Sequence, residues 1–424
     1  MFMQRLLSLG LLLATLCSTA TAQFDCSNDR YYEQIFTDLE ITMGVTYGEN
    51  DQPTIFDPNA TQVLELDVYE PMGDSTTQRP LIIWAFGGAF VAGSRLSPDI
   101  VELCTRFAKA GYVCASIDYR LTSELALVGD EHTATTAVLK ATHDMRAAVR
   151  YLRNNALTTN DYGIDPNAIW VGGVSAGGFA ALHLAYLDEV SEVPSVIAGD
   201  IASLGGIEGN SGTPGVSSEV TGVLNLCGAL AEKEWIVAGD PVLMSVHGTE
   251  DDVVPYGADL LTLFGINLEL DGSAALHPHV ESLGIPNAFT SFPGAGHTPF
   301  ALGTDVPNYM DTTWWAARDF VYEQTCGYPF NVPEVPAIEL APTELLTAYP
   351  TPANESATIM IDPMSVGLVE VSDMNGKRVQ ADWNFVDGGI SIDTRHLPNG
   401  MYVANIFFPW SYHKSGGARL LVQH

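Results

Sequence analysis

Basic residues are scarce in this chain. Only 18 lysines and arginines face 51 aspartates and glutamates, a formal net charge of −33. Such an acidic surface repels nucleic acid and anionic membranes and favours neutral or cationic small molecules. Charge of both signs is also sparse, at 16% of residues against 46% hydrophobic, which is a globular composition and excludes a disordered polyelectrolyte. No C-x-x-C pair and no H-E-x-x-H occurs, so no zinc site is expected, and no other metal or cofactor. Beyond the N-terminus no apolar run is long enough to span a bilayer, so no stable membrane insertion is expected.

What is present begins with an export signal. Arg5 precedes an apolar run from Leu6 to Leu16, and small residues stand at Ala20 and Ala22. This pattern predicts a signal peptide over 1–22, cut after Ala22, and an exported protein. Cys17 leaves with it, so Cys26, Cys104, Cys114, Cys227 and Cys326 remain, an odd number for an oxidising compartment. A Cys26–Cys326 bridge would tie the ends of the main domain; Cys104–Cys114 is the rival pairing, and the sequence does not choose.

The chain is organised around Ile169 to Leu182, IWVGGVSAGGFAAL. A short apolar strand runs into Gly173-Val174-Ser175-Ala176-Gly177, the G-x-S-x-G pattern, and a helix starts at Ala176. A serine on so sharp a strand-to-helix turn projects its Oγ above the sheet edge, with free N–H groups of the helix aimed at the same point. A tight turn with a capping serine is the plain alternative for the pentapeptide alone.

Around it strands and helices alternate. Val63 to Tyr69 alternates apolar and polar like an edge strand, and Leu81 to Phe86 reads as a strand covered on both faces. Val101 to Ala110 is a helix, Tyr112 to Asp118 a strand, and Thr135 to Ala156 a long helix with Ala141, Met145, Ala148 and Leu152 on one face. Val220 to Cys227, Val242 to His247 and Ala288 to Phe292 continue the series. This order predicts an α/β fold, a mainly parallel sheet with helices on both faces, over 23–327. Stretches 188–219 and 256–286 read as insertions at the catalytic edge, either a partial substrate cover or ordinary surface loops. Prolines thicken over 328–344, a linker. Residues 345–424 hold five basic and seven acidic residues and recurrent short β-type runs, with Asn375-Gly376 and Asn399-Gly400 as turns. They predict a small antiparallel β-sandwich.

A serine hydroxyl needs a base beside it and a group that orients the base. After the strand Val242 to His247 comes Gly248-Thr249-Glu250-Asp251-Asp252, where Asp251 is the expected acid and Glu250 and Asp252 its rivals. Past the last strand, Pro293-Gly294-Ala295-Gly296-His297 supplies the expected base, His297. His247 is expected beside the acid loop, and His277 and His279 within an insertion. Gly88 and Ala89 in Phe86-Gly87-Gly88-Ala89-Phe90 join Ala176 as oxyanion donors.

FGGAFVAGS at 86–94, IDYRL at 117–121, GIDPNAIWVGGVSAGG at 163–178, HGTEDDVVP at 247–255 and GAGH at 294–297 resemble the carboxylesterase and feruloyl/acetyl-esterase group of α/β-hydrolases over roughly 40–325. The resemblance implies an α/β-hydrolase fold and ester hydrolysis through an acyl-enzyme on Ser175, Asp251 and His297. Phe86 stands where that group usually has a loop-bracing histidine, which leaves loop geometry and substrate preference open. Arg120, Asp144 and Arg146 match family positions and are expected in structural ion pairs. AYPTPANESATIMI at 348–361, VEVSDMNGKRV at 369–379, HLPNGMYVANI at 396–406 and the terminal RLLVQH resemble a type IX secretion C-terminal sorting domain of Bacteroidetes. That implies contact with the type IX machinery, release at the cell surface or outside, and removal of the tail; a carbohydrate-binding sandwich is the other reading of this segment. The expected substrate is a small-molecule or polymeric ester: short acyl esters, acetylated or feruloylated polysaccharides, or aromatic polyesters. The alternatives are a serine peptidase of the prolyl-oligopeptidase type and a non-catalytic surface adhesion protein on the same fold.

Overall fold

The computed structural model describes residues 24–53, 57, 59–122, 129–301, 309–327, 345–361, 368–373, 378–379, 381–386, 388–407 and 414–424. The signal peptide, the linker at 328–344 and the Asn375-Gly376 turn lie outside them.

The first body is an eight-stranded sheet built from β1 (Leu39–Asp51), β2 (Thr61–Pro71), β3 (Arg79–Ala85), β4 (Val113–Ile117), β5 (Ile164–Val174), β6 (Gly222–Leu226), β8 (Val242–Gly248) and β11 (Asn287–Phe292). Their spatial order is β1-β2-β4-β3-β5-β6-β8-β11. The pairs β1/β2 and β2/β4 are antiparallel and every later pair is parallel. Every residue of β3 and β4 is buried, the signature of strands covered on both faces. Helices α1 (Pro98–Lys109) and α5 (Tyr309–Cys326) pack together, as do α2 (Glu131–Leu157) and α3 (Ala176–Tyr186), and the two pairs supply that cover. Helix α1 starts on Pro98 with Asp99 in its first turn and Arg106 and Lys109 in its last, each suited to the dipole. In α2 the expected face, Ala141, Met145, Ala148 and Leu152, is fully buried. This is the α/β-hydrolase architecture.

Three expectations change. The run at 63–69 is not an edge: β1 pairs along β2 and takes the edge position. Register shifts between Thr42 and Val45 and between Thr46 and Gly48 swap its faces, so its sequence shows no sustained alternation. The stretch 256–286 is not a plain insertion. It contains β9 (Ala258–Leu261) and β10 (Leu268–Gly272), with β10 pairing between β9 and β7 (Ala229–Leu230) in a small antiparallel sheet, and helix α4 (Ser273–Ser282), which packs on β8 and β11. Pro278 inside α4 disguises it. The stretch 188–219 is pinned down in its second half: Glu49 N–H donates to Ser211 O at 2.9 Å, and Arg146 and Arg150 donate to Ile207 O and Glu208 O at 2.8 and 2.9 Å.

Arg120 and Arg146, both buried, meet acids. Arg120 meets Asp144 at 2.9 Å, as expected. Arg146 instead pairs with Glu208 at 3.2 Å and donates to the carbonyls of Leu184 and Leu187, which tie up the end of α3.

Cys26 and Cys326 form the disulfide, closing a separation of 300 residues, while Cys104, Cys114 and Cys227 are free and buried. A cross-link over so long a loop removes much unfolded-state entropy, about 2–5 kcal/mol. The double variant Cys26→Ser/Cys326→Ser should therefore melt about 5–15 °C below the parent in a thermal scan, and dithiothreitol should lower the parent alone.

The second body holds β12 (Leu345–Tyr349), β13 (Ser356–Met360), β14 (Leu368–Asp373), β15 (Arg378–Val379), β16 (Trp383–Val386), β17 (Gly389–Asp393), β18 (Gly400–Phe407) and β19 (Lys414–Val422). Strand β12 pairs with β19 through residues 345–347 and with β13 through 348–349, so it crosses from one sheet to the other. Ile359, Ile390 and Ile392 from one side and Tyr402, Ala404, Ile406 and Leu420 from the other share a core, the packing of a sandwich. One detail departs from the expected all-antiparallel arrangement: β12 and β19 are parallel.

Candidate active site

Ser175 joins β5 to α3 at φ 52° and ψ −115°, a backbone conformation that costs a non-glycine residue of order 1–3 kcal/mol. The neighbours hold it there. Ser175 N–H donates to Leu226 O at 2.8 Å, anchoring the turn to β6. The two glycines of the pattern are there for close approach. A Cβ on Gly173 would stand 2.2 Å from the Gly177 carbonyl carbon, and one on Gly177 2.2 Å from Ala85 O at the end of β3. The helix therefore packs directly on the sheet edge, with its N-terminus beneath the Ser175 hydroxyl.

His297 stands on the loop after β11. Its Nε2 accepts from Ser175 Oγ at 2.8 Å, and its Nδ1–H donates to Asp251 Oδ2 at 2.7 Å. The loop after β8 and the loop after β11 are bonded to each other: Glu250 N–H reaches Ala295 O at 2.9 Å, and Gly294 N–H reaches Thr249 Oγ1 at 2.8 Å. These two bonds hold the Asp251 loop against the His297 loop. Glu250 and Asp252, the rival acids, are exposed, whereas the Asp251 side chain is fully buried.

Asp251 accepts four hydrogen bonds. Oδ1 takes the N–H groups of Val253 and Val254, both at 2.9 Å, and Oδ2 takes the two histidines. Burial pushes its carboxyl up, but the bonds from His247 and His297 and the backbone N–H of Val254 outweigh it and hold the group well below the usual carboxylate range.

His247, expected only to lie near the acid loop, is a second donor to the same oxygen, with Nε2 at 3.1 Å. Because a carboxylate only accepts, the proton sits on Nε2 and leaves Nδ1 to accept from Ser273 Oγ at 2.9 Å. Asn225 Nδ2 in turn donates to Ser273 Oγ at 3.2 Å. The i, i+4 spacing of His247 and Asp251 was the only sequence signal for this pair. His277 is elsewhere, on α4, bonded to Asn287 Oδ1 at 2.9 Å.

Gly88, Ala89 and Phe90 all have positive φ, at 129°, 53° and 61°. Gly88 O accepts from the N–H groups of Val91 and Ala92, closing a tight turn. The N–H groups of Gly88, Ala89 and Ala176 donate to no acceptor among the described residues. Gly87 brings the turn against Ser175, since a Cβ there would lie 3.3 Å from Ser175 Cβ. Phe86 braces the loop by stacking on Tyr119, with centroids 4.2 Å apart, while Tyr119 Oη–H donates to Phe86 O at 2.9 Å.

Cys227 lies beside the pair. Its Sγ, an Asp251 oxygen and a His297 nitrogen are within 4.8 Å of one another, a spacing that could hold an ion. Burial pushes its thiol up to about 12, so it stays protonated at neutral pH and adds no charge next to Asp251.

Residues 66–228 match the family BD-FAE, and residues 347–408 match the secretion system C-terminal sorting domain. Mouse carboxylesterase 3B is 30% identical over 159 residues, 36% of this chain and 25% of that protein. Esterase LipC of Mycobacterium tuberculosis is 36% identical over 113 residues, 27% of this chain and 24% of that protein. The chain thus spans about a quarter of the length of these curated relatives. Among solved structures, Thermogutta terrifontis esterase 2 phosphorylated by paraoxon aligns over 69% of this chain and 97% of its own, at 23% identity and a TM-score of 0.48. No helix among the described residues is long and apolar enough to cross a membrane, and the tail marks the chain for type IX secretion to the cell surface or outside. The protein carries a BD-FAE esterase-like α/β-hydrolase domain followed by a type IX sorting domain.

Proposed function

We propose that this protein is an exported serine esterase that cleaves carboxylic esters through an acyl-enzyme, with domains at 23–327 and 345–424 joined by a linker. The observation that carries the reading is the line Ser175 Oγ, His297 Nε2, His297 Nδ1, Asp251 Oδ2, with spacings of 2.8 and 2.7 Å. His297 takes the Ser175 proton as Oγ attacks the ester carbonyl. The tetrahedral oxyanion forms against the N–H groups of Gly88, Ala89 and Ala176, which have no acceptor among the described residues to surrender. His297 then protonates the leaving alcohol, and water repeats the sequence to release the acid. Asp251, held ionised, stabilises the imidazolium. A short-chain, acetyl or feruloyl ester, or an aromatic polyester, all suit this chemistry.

The test is covalent labelling. A fluorophosphonate probe should modify Ser175, identified by peptide mass spectrometry, at a rate that butyrate esters slow. An inert fold would leave Ser175 unlabelled, and so would a wrong choice of nucleophile.

A further inference from the structure

A pocket of about 610 Å³ opens along α3, one turn beyond Ser175. Phe179 and His183 both line it. Spaced four and eight residues from the nucleophile, they share a helix face about 6 and 12 Å along the axis. Phe179 also meets Phe90, the residue after Ala89, edge-on with centroids 6.3 Å apart, so one wall residue of the pocket packs on the loop that lies against Ser175. The remaining wall comes from α2, from residues 194–197, from residues 231–235 and from β9 and β10.

Its lining has three properties. Aliphatic side chains such as Leu139, Val196 and Ile197 dominate, with the Phe179, His183 and Trp235 rings in contact beside them. Next, His183 is 7% exposed, and its Nδ1–H donates to Phe179 O at 2.8 Å. That bond fixes the tautomer: Nε2 carries a lone pair and has no donor among the described residues. Burial pushes the imidazole down to about 4, so it stays a neutral acceptor at ordinary pH. Finally, among the described residues Glu232, Glu234, Asp259, Glu269 and Asp271 line the pocket against one cation, Lys233. Lys233 Nζ already lies 3.2 Å from Glu234 and 3.6 Å from Asp271.

We infer that this pocket is a subsite for the far end of a cationic ester, an apolar chain or ring ending in a protonated amine whose N–H points at His183 Nε2. The inference rests on the esterase reading and adds to it a substrate class. A carboxylate in this position would meet the acids and an acceptor with no proton to offer. A plain hydrocarbon would bury His183 Nε2 unpaired and gain nothing from the charge around it. A neutral hydroxyl satisfies His183 alone. An ammonium satisfies the acceptor, faces the Trp235 ring and lies in the negative potential of a chain with net charge −33.

The experiment uses the full chain and calorimetry at pH 7 with three probes of one shape: 3-phenylpropylamine, 3-phenylpropan-1-ol and 3-phenylpropanoate. The amine should bind about tenfold more tightly than the alcohol, the acid weakest, and 1 M NaCl should shrink the advantage. His183→Phe, which keeps a flat ring and deletes the acceptor, should reduce the amine's lead severalfold. Alcohol binding as tightly as amine, or a lead unchanged by His183→Phe, overturns the inference, and the order of the three probes decides even if that variant does not fold. Hydrolysis is read separately, with p-nitrophenyl 8-aminooctanoate against octanoate and 8-aminooctyl acetate against octyl acetate. The amino ester of one pair should lead about tenfold in kcat/KM, mostly through KM. Esters cleaved with no such lead reject the subsite; amine binding with no ester cleaved rejects the esterase reading instead.

Discussion

Ser175→Ala is expected to lower kcat for p-nitrophenyl acetate by about 10⁵–10⁶-fold while the protein stays folded. The size of the loss follows from what the hydroxyl does. Without Oγ no acyl-enzyme can form, and His297 can only activate a water that the site was not shaped to hold. The residue left behind still has Gly88, Ala89 and Ala176 to polarise a carbonyl, so a trace of catalysis over water should persist. Folding should survive because the elbow is held by its backbone. The Ser175 N–H bond to Leu226 O does not involve the side chain, and alanine carries the same Cβ through φ 52° as serine does. A melting temperature within a few degrees of the parent, beside stopped turnover, is the expected pair of results. Turnover within tenfold of the parent would place the nucleophile elsewhere.

The elbow was legible in the sequence because its glycines answer to sterics. Gly173 and Gly177 each face backbone at 2.2 Å, and such a demand leaves a fixed mark at fixed spacing. The central strands were legible for a related reason, since a strand buried on both faces can only be apolar, as β3 is throughout. The elements that escaped are those whose partners supply the pattern. Strand β1 has two register shifts and a mostly solvated face, so its alternation is lost. Helix α4 hides behind Pro278 and a run of His, Ser and Glu, and only its docking on β8 and β11 makes it a helix. His247 escaped in its chemistry more than in its place. Nothing in a linear motif tells a histidine that packs against an acid from one that shares its oxygen with the base.

That shared oxygen sets the expected outcome of Asp251→Asn: a loss of about ten-thousandfold in kcat with KM changed far less. Four donors converge on this carboxylate, two on each oxygen, and an amide can serve only one side. If its carbonyl faces the histidines, its NH₂ opposes the N–H groups of Val253 and Val254. If it faces the backbone, its NH₂ opposes the protonated nitrogens of both imidazoles, and His297 must move its proton from Nδ1 to Nε2. The ring would then present a donor to Ser175 Oγ and could not take its proton. Either arrangement also removes the charge that stabilises the imidazolium. Stability should carry the same signature. The folded carboxyl lies below its unfolded value of about 3.9, so its contribution is complete above that pH and is lost as pH falls through the folded value. The melting temperature of the parent should therefore exceed that of Asp251→Asn most at pH 6–7, with the gap narrowing below about pH 4. Thermal scans from pH 3 to 7 on both proteins measure it. A gap that widens toward acid would mean that Asp251 is not the ionised partner of the two histidines.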